Sequence, residues 1–69
     1  MTTIYVKPDC PYCEAALREL ESRGEPYRVV DILADAGGRA ILAQLTDGTL
    51  VVPVVVEDTG AVRYTFGGG

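Results

Sequence analysis

The sequence predicts an α/β domain of order βαβαββ, built on a four-stranded mixed sheet. Short runs of β-branched and aromatic residues stand near both ends and in the middle of the chain. Two stretches between them carry apolar residues at the i, i+3, i+4, i+7 spacing of an amphipathic helix, and Gly, Pro and Asp punctuate the junctions. With 69 residues, 48% apolar and 23% charged, the chain reads as one globular domain over residues 1–69.

Thr3 to Lys7 forms the first predicted strand, with Ile4 and Val6 on one face and Tyr5 and Lys7 on the other; Pro8 and Asp9 end it. The first helix runs from about Pro11 to Arg23, with Cys13, Ala16, Leu17 and Leu20 as its apolar stripe. Pro11 suits the first helical position, Cys10 the N-terminal cap and Gly24 the stop, while Glu14–Arg18 and Glu19–Arg23 form i,i+4 pairs. Tyr27 to Ile32 is the second strand, parallel to the first through a right-handed crossover. Gly38, Ile41, Leu42 and Leu45 mark a shorter second helix, closed by Thr46-Asp47-Gly48. Pro53–Glu57 and Ala61–Phe66 are the last strands, joined by Asp58-Thr59-Gly60. In the final strand Val62, Tyr64 and Phe66 alternate with Arg63 and Thr65, the pattern of a strand covered on one face.

Several function classes are disfavoured at once. The longest apolar stretch, Leu50 to Val56, is seven residues interrupted by Pro53, against the ~20 that a membrane-spanning helix needs. The N-terminal residues have no secretory pattern, so a cytoplasmic location is expected. A net charge of −4 gives no attraction to nucleic acid or to anionic membranes. With no histidine, imidazole bases and the triads built on them are excluded.

The chemistry concentrates at Cys10 and Cys13. A bond between them would close a ring too small to constrain the unfolded chain much, so the pair makes more sense opening and closing during work than as a staple. The thiolate is the attacking species, and the first turn of a helix offers unpaired N–H groups and a positive dipole end that stabilise an anion at the cap. Cys10 is therefore the expected attacking thiol, and Cys13, one turn along on the same side, the resolving one. Half of a zinc site is disfavoured because no second pair and no histidine supply the other ligands, so no metal site is expected. Two inert core cysteines are the blander alternative.

Ile4-Tyr5-Val6-Lys7-Pro8-Asp9-Cys10-Pro11-Tyr12-Cys13 resembles the start of dithiol glutaredoxins, whose characteristic active site is Cys-Pro-Tyr-Cys. The similarity continues in order through Gly24-Glu25-Pro26-Tyr27, Gln44-Leu45-Thr46, Val51-Val52-Pro53 and Phe66-Gly67-Gly68. It implies a thioredoxin-like (glutaredoxin) fold and a thiol–disulfide oxidoreductase acting on protein disulfides or glutathione mixed disulfides. Glutathione, or a similar small thiol, is then the co-substrate, and no cofactor is required. By the same resemblance Lys7 and Arg39 meet the glycine carboxylate of glutathione, and Tyr12 lines the groove beside the attacking sulfur. Val52 pairs through its backbone with the cysteinyl part, and Pro53 is a cis-proline facing Cys10. Lys7 and Arg39 as solvated charges, and Tyr12 as a partly exposed aromatic, are the plainer readings.

Two departures from the family pattern carry expectations of their own. Val51 replaces the usual threonine, which removes a hydroxyl and leaves the backbone contact. The sequence ends at Gly69, where the family continues into a final helix. That difference puts recognition of the γ-glutamyl end in question and suggests an uncovered C-terminal region, hence a homodimer. Three other functions compete: a glutaredoxin-like electron donor reduced by thioredoxin reductase, for example for ribonucleotide reductase; an iron–sulfur carrier in which two chains each give Cys10 and two external thiols complete the ligands; and a redox-inactive binding module.

Overall fold

Thr2–Val6 is rich in β-branched side chains and forms the first strand, β1. The computed structural model describes residues 1–48 and 52–64. Along the chain β1 is followed by α1 (Pro11–Ser22), β2 (Tyr27–Asp31), α2 (Ala36–Leu45), β3 (Val54–Val56) and β4 (Val62–Tyr64). The strands lie in the order β2-β1-β3-β4. β1 pairs parallel with β2, from Thr2↔Tyr27 to Val6↔Asp31, and antiparallel with β3 through Ile4↔Val55. β3 and β4 are antiparallel. The predicted βαβαββ order and mixed four-stranded sheet are therefore the observed architecture.

Residues opposite one another in the ladder share a face. Tyr5, Val30 and Val54 form one face, and Ile4, Val29 and Val55 the other. A Cβ added at Gly38 would lie 2.3 Å from Val30 Cγ1, so α2 packs on the Tyr5 face at very short range. The crossover between β1 and β2 puts α1 on the Ile4 face, where its buried Cys13, Ala16 and Leu20 join the core. Leu17 packs against that core while partly exposed.

Local signals set the helix ends. Asp35 caps α2, its Oδ1 accepting the Gly38 N–H at 2.9 Å. Arg23 is the C-cap of α1, and Gly24 takes φ 69, the left-handed conformation that glycine adopts without strain. The predicted pairs on α1 are present: Arg23 meets Glu19 at 2.8 Å and Arg18 approaches Glu14 at 3.9 Å. No helix among the described residues is long and apolar enough to cross a membrane.

Tyr5 is buried, 6% exposed, because β1 is central and covered on both faces. The bounds of the strands and the stripe of α2 need correction. The strands are displaced or shortened: β1 spans Thr2–Val6 where Thr3 to Lys7 was expected, and β2 ends at Asp31. β3 starts at Val54, since Pro53 has no N–H to give the ladder. In α2 the expected stripe narrows to Gly38 and Leu42, leaving Ile41 and Leu45 exposed, because a helix seated so close to Val30 presents only a thin strip to the sheet. Val54 and Val55, one on each face of β3, are buried. Thr65, Phe66 and the glycines that follow, on which the uncovered C-terminal region was argued, lie outside the described residues.

The Gly38–Val30 contact is testable. Gly38→Ala loses about 1–3 kcal/mol of unfolding free energy in urea denaturation despite alanine's better helix propensity. Adding Val30→Ala recovers part of that loss, giving a favourable coupling in a double-mutant cycle.

Candidate active site

β1 delivers the chain into Lys7-Pro8-Asp9, a turn that Asp9 completes with φ 57, a left-handed conformation aspartate tolerates better than most residues. Cys10 then returns to extended backbone, φ −114 and ψ 102, the geometry of an N-cap. Its Sγ accepts the N–H of Cys13 at 3.1 Å, and its carbonyl accepts the N–H of Glu14 at 3.2 Å. Pro11 opens the helix where a missing N–H costs nothing. A sulfur thus occupies the place usually held by a serine or aspartate oxygen. It stands at the positive end of the helix dipole, where one backbone N–H donates to it.

Cys13 faces the core and differs from its neighbour. Burial pushes its thiol up to about 11, helped by its hydrogen bond to Cys10 and by the charge of Cys10; a backbone hydrogen bond from Lys7 and the Lys7 charge act in the opposite direction. At neutral pH Cys13 holds its proton. The two sulfurs lie together, recessed to 4% exposure at Cys10 and 2% at Cys13, beside the half-exposed Tyr12. Both cysteines are free thiols.

The other sequence-derived residues fall as follows. Lys7 lies close enough for its backbone and charge to act on Cys13. Val52–Pro53 is a cis peptide, and the side chains of both residues are buried. Arg39 sits in the first turn of α2, its N–H bonded to the Asp35 carbonyl and its side chain exposed. The structure therefore gathers Lys7, Cys10, Tyr12 and Cys13 on one turn, with Arg39 on a separate helix. Val51 lies outside the described residues.

Sequence reasoning missed Asp9, Asp31 and Asp35. Asp31 Oδ1 accepts the Leu33 N–H at 2.8 Å, and Asp35 caps α2; the signal for both is an Asp placed two or three residues before the group it binds. Two concavities stand apart from the thiols. One, about 350 Å³, is lined by Glu25, Glu57 and Asp58 among others; a second, about 300 Å³, lies between α2 and the Tyr5 face. Neither touches a cysteine. Among the described residues no group of three or more His, Cys, Asp or Glu side chains could hold a metal ion.

The raised Cys13 value has a stability consequence. The folded state holds this proton more tightly than the unfolded chain, whose value is near 9.0. The associated stability is complete below about pH 9 and is lost as the pH rises toward 11. Under reducing conditions the unfolding free energy therefore falls through this window, by on the order of 1 kcal/mol per pH unit. Cys13→Ala lacks that component. Tyr27, whose hydroxyl donates to Glu21 and is raised in the same direction, is common to both proteins, so their difference isolates Cys13.

Three comparisons bear on this geometry. The glutaredoxin family profile matches residues 2–60. The crystal structure of the thioredoxin-like protein BC3987 superposes with a TM-score of 0.85 at 32% identity, over 96% of this chain and 88% of that one. A point mutant of the same protein gives the same score and identity over 96% and 86%. No curated protein matches the chain by sequence. With a thioredoxin-like fold, a Cys-Pro-Tyr-Cys turn capping α1 and a family match across most of its length, the chain belongs to the glutaredoxin family.

Proposed function

We propose that the protein reduces protein disulfides or glutathione mixed disulfides, with Cys10 as nucleophile and a small thiol such as glutathione as the electron source. The observation that carries this reading is the asymmetry of the pair: Cys10 Sγ accepts a backbone N–H at the helix start, while Cys13 keeps its proton at neutral pH. Cys10 thiolate attacks one sulfur of the substrate disulfide and forms a mixed disulfide as the other sulfur leaves as a thiolate. Cys13 then loses its proton and attacks Cys10 Sγ, which forms the Cys10–Cys13 disulfide and expels the second substrate thiol. Two electrons have passed from the dithiol to the substrate. Two equivalents of small thiol return them and are themselves oxidised to a disulfide. A glutathione mixed disulfide needs only the first step, after which a second glutathione releases Cys10.

Lys7 supports the assignment of a carboxylate-bearing thiol, since its ammonium stands beside the pair, and Arg39 offers a second cation from the start of α2. Tyr12, half-exposed on the first turn, is a wall for the bound thiol, and the Val52–Pro53 backbone is the edge along which its cysteinyl part would pair. The work is placed in the cytoplasm, where small thiols keep such a pair reduced. The similarity to a protein described as thioredoxin-like favours one second reading, in which thioredoxin reductase supplies the electrons.

Coupled assays with glutathione plus glutathione reductase, and with thioredoxin reductase alone, separate these donors. The first system is expected to sustain turnover and the second to fail; the reverse outcome transfers the protein to the second reading. Cys10→Ser abolishes exchange with every substrate. Cys13→Ser retains reduction of glutathione mixed disulfides and loses most activity on protein disulfides. An equal loss in the two variants on glutathione mixed disulfides would contradict the assigned roles.

A further inference from the structure

Leu33 is 68% exposed, yet its position is closely fixed. Its N–H donates to Asp31 Oδ1 at 2.8 Å, and the N–H groups of Ala34 and Asp35 return to the Asp31 carbonyl at 3.1 and 2.9 Å. Before it, Ile32 is buried and donates its N–H to the Val6 carbonyl at 3.0 Å. A tight turn leading to a capped helix would be served as well by a polar residue, and a leucine held in water there gains nothing from the fold.

The strand register locates it. Val6 pairs with Asp31 in the parallel ladder and its carbonyl accepts the Ile32 N–H, so Leu33 follows the carboxyl end of β2, next to the end of β1 from which the chain runs to Cys10. This is the carboxyl end of β1 and β2, the end at which α/β sheets gather their ligands. Tyr12, 50% exposed on α1, stands at the same end. Two separate segments therefore place large apolar side chains at the end of the sheet that leads into Cys10.

Glutathione has no use for Leu33. Its groups beyond the thiol are two carboxylates, an ammonium and two amides, which suit Lys7 and Arg39. A polypeptide carrying a half-cystine brings apolar side chains next to the sulfur. We infer that Leu33 is a specificity-determining residue that packs against an apolar side chain flanking the half-cystine of a protein substrate. This rests on the oxidoreductase reading above and adds no chemical step. Because the turn is already ordered, the contact costs little conformational entropy when the substrate docks.

The test compares kcat/KM for insulin, a disulfide-bonded protein, with that for the mixed disulfide of glutathione and 2-mercaptoethanol. In Leu33→Ser the ratio of the two falls about five- to tenfold, mainly through KM for insulin, as expected when one leucine loses its burial. Leu33→Met restores the ratio. Ile41→Ser, at a comparably exposed apolar position on α2, leaves it unchanged. An unchanged ratio in Leu33→Ser would overturn the inference. So would a fall accompanied by dissociation of a dimer in light scattering, since a second copy of the chain would then be what covers the leucine. A wild-type protein inactive on both substrates would instead sink the oxidoreductase reading, and this inference with it.

Discussion

The hydrogen bond from the Cys13 N–H to Cys10 Sγ ties the fold to its chemistry. A helix start must satisfy its free N–H groups, and here one of them is satisfied by the Cys10 sulfur. Thiol sulfur is a weak acceptor and thiolate a strong one, so an ionised sulfur at this position would be the better cap. On the proposed function, drawing Cys10 into a disulfide weakens that cap and couples the first turn of α1 to the redox state of the pair.

The sheet gives this turn a stiff support. β1 is central, paired on both edges and buried on both faces, so the segment that leads into Lys7 and Cys10 leaves the most constrained part of the domain. Cys13 anchors the other side by burying its thiol in the core. The same burial that holds the helix against the sheet keeps the Cys13 proton on. Packing and proton affinity are one constraint, and together they make two cysteines three residues apart chemically unequal.

Much of this was legible in the sequence. The 3.6-residue period starting at Cys13, the Pro11 start and the Gly24 stop define α1 because they are local signals, and they place Cys10 at the cap without tertiary information. Alternation separated Ile4 and Val6 from Tyr5 and Lys7, but the cover on both faces of β1 was not legible, because it depends on a central position in the sheet and on where α2 lands. Gly38 looked like a weak member of an apolar stripe and proves to be the point of closest helix–sheet approach, at which a side chain would collide with Val30. Lys7 and Arg39 were both named through the family resemblance, and Lys7 lies on the turn that leads into Cys10. Arg39 depends on how a different helix is oriented, which no short-range signal encodes.

The central claim is that the two sulfurs differ in reactivity in the reduced protein at neutral pH. Alkylation with substoichiometric iodoacetamide, followed by mass-spectrometric mapping of the modified residue, tests it directly. A single modification on Cys10, with Cys13 unmodified until the protein is unfolded, is the predicted result. Equal labelling of both cysteines, or labelling of Cys13 first, would contradict the account.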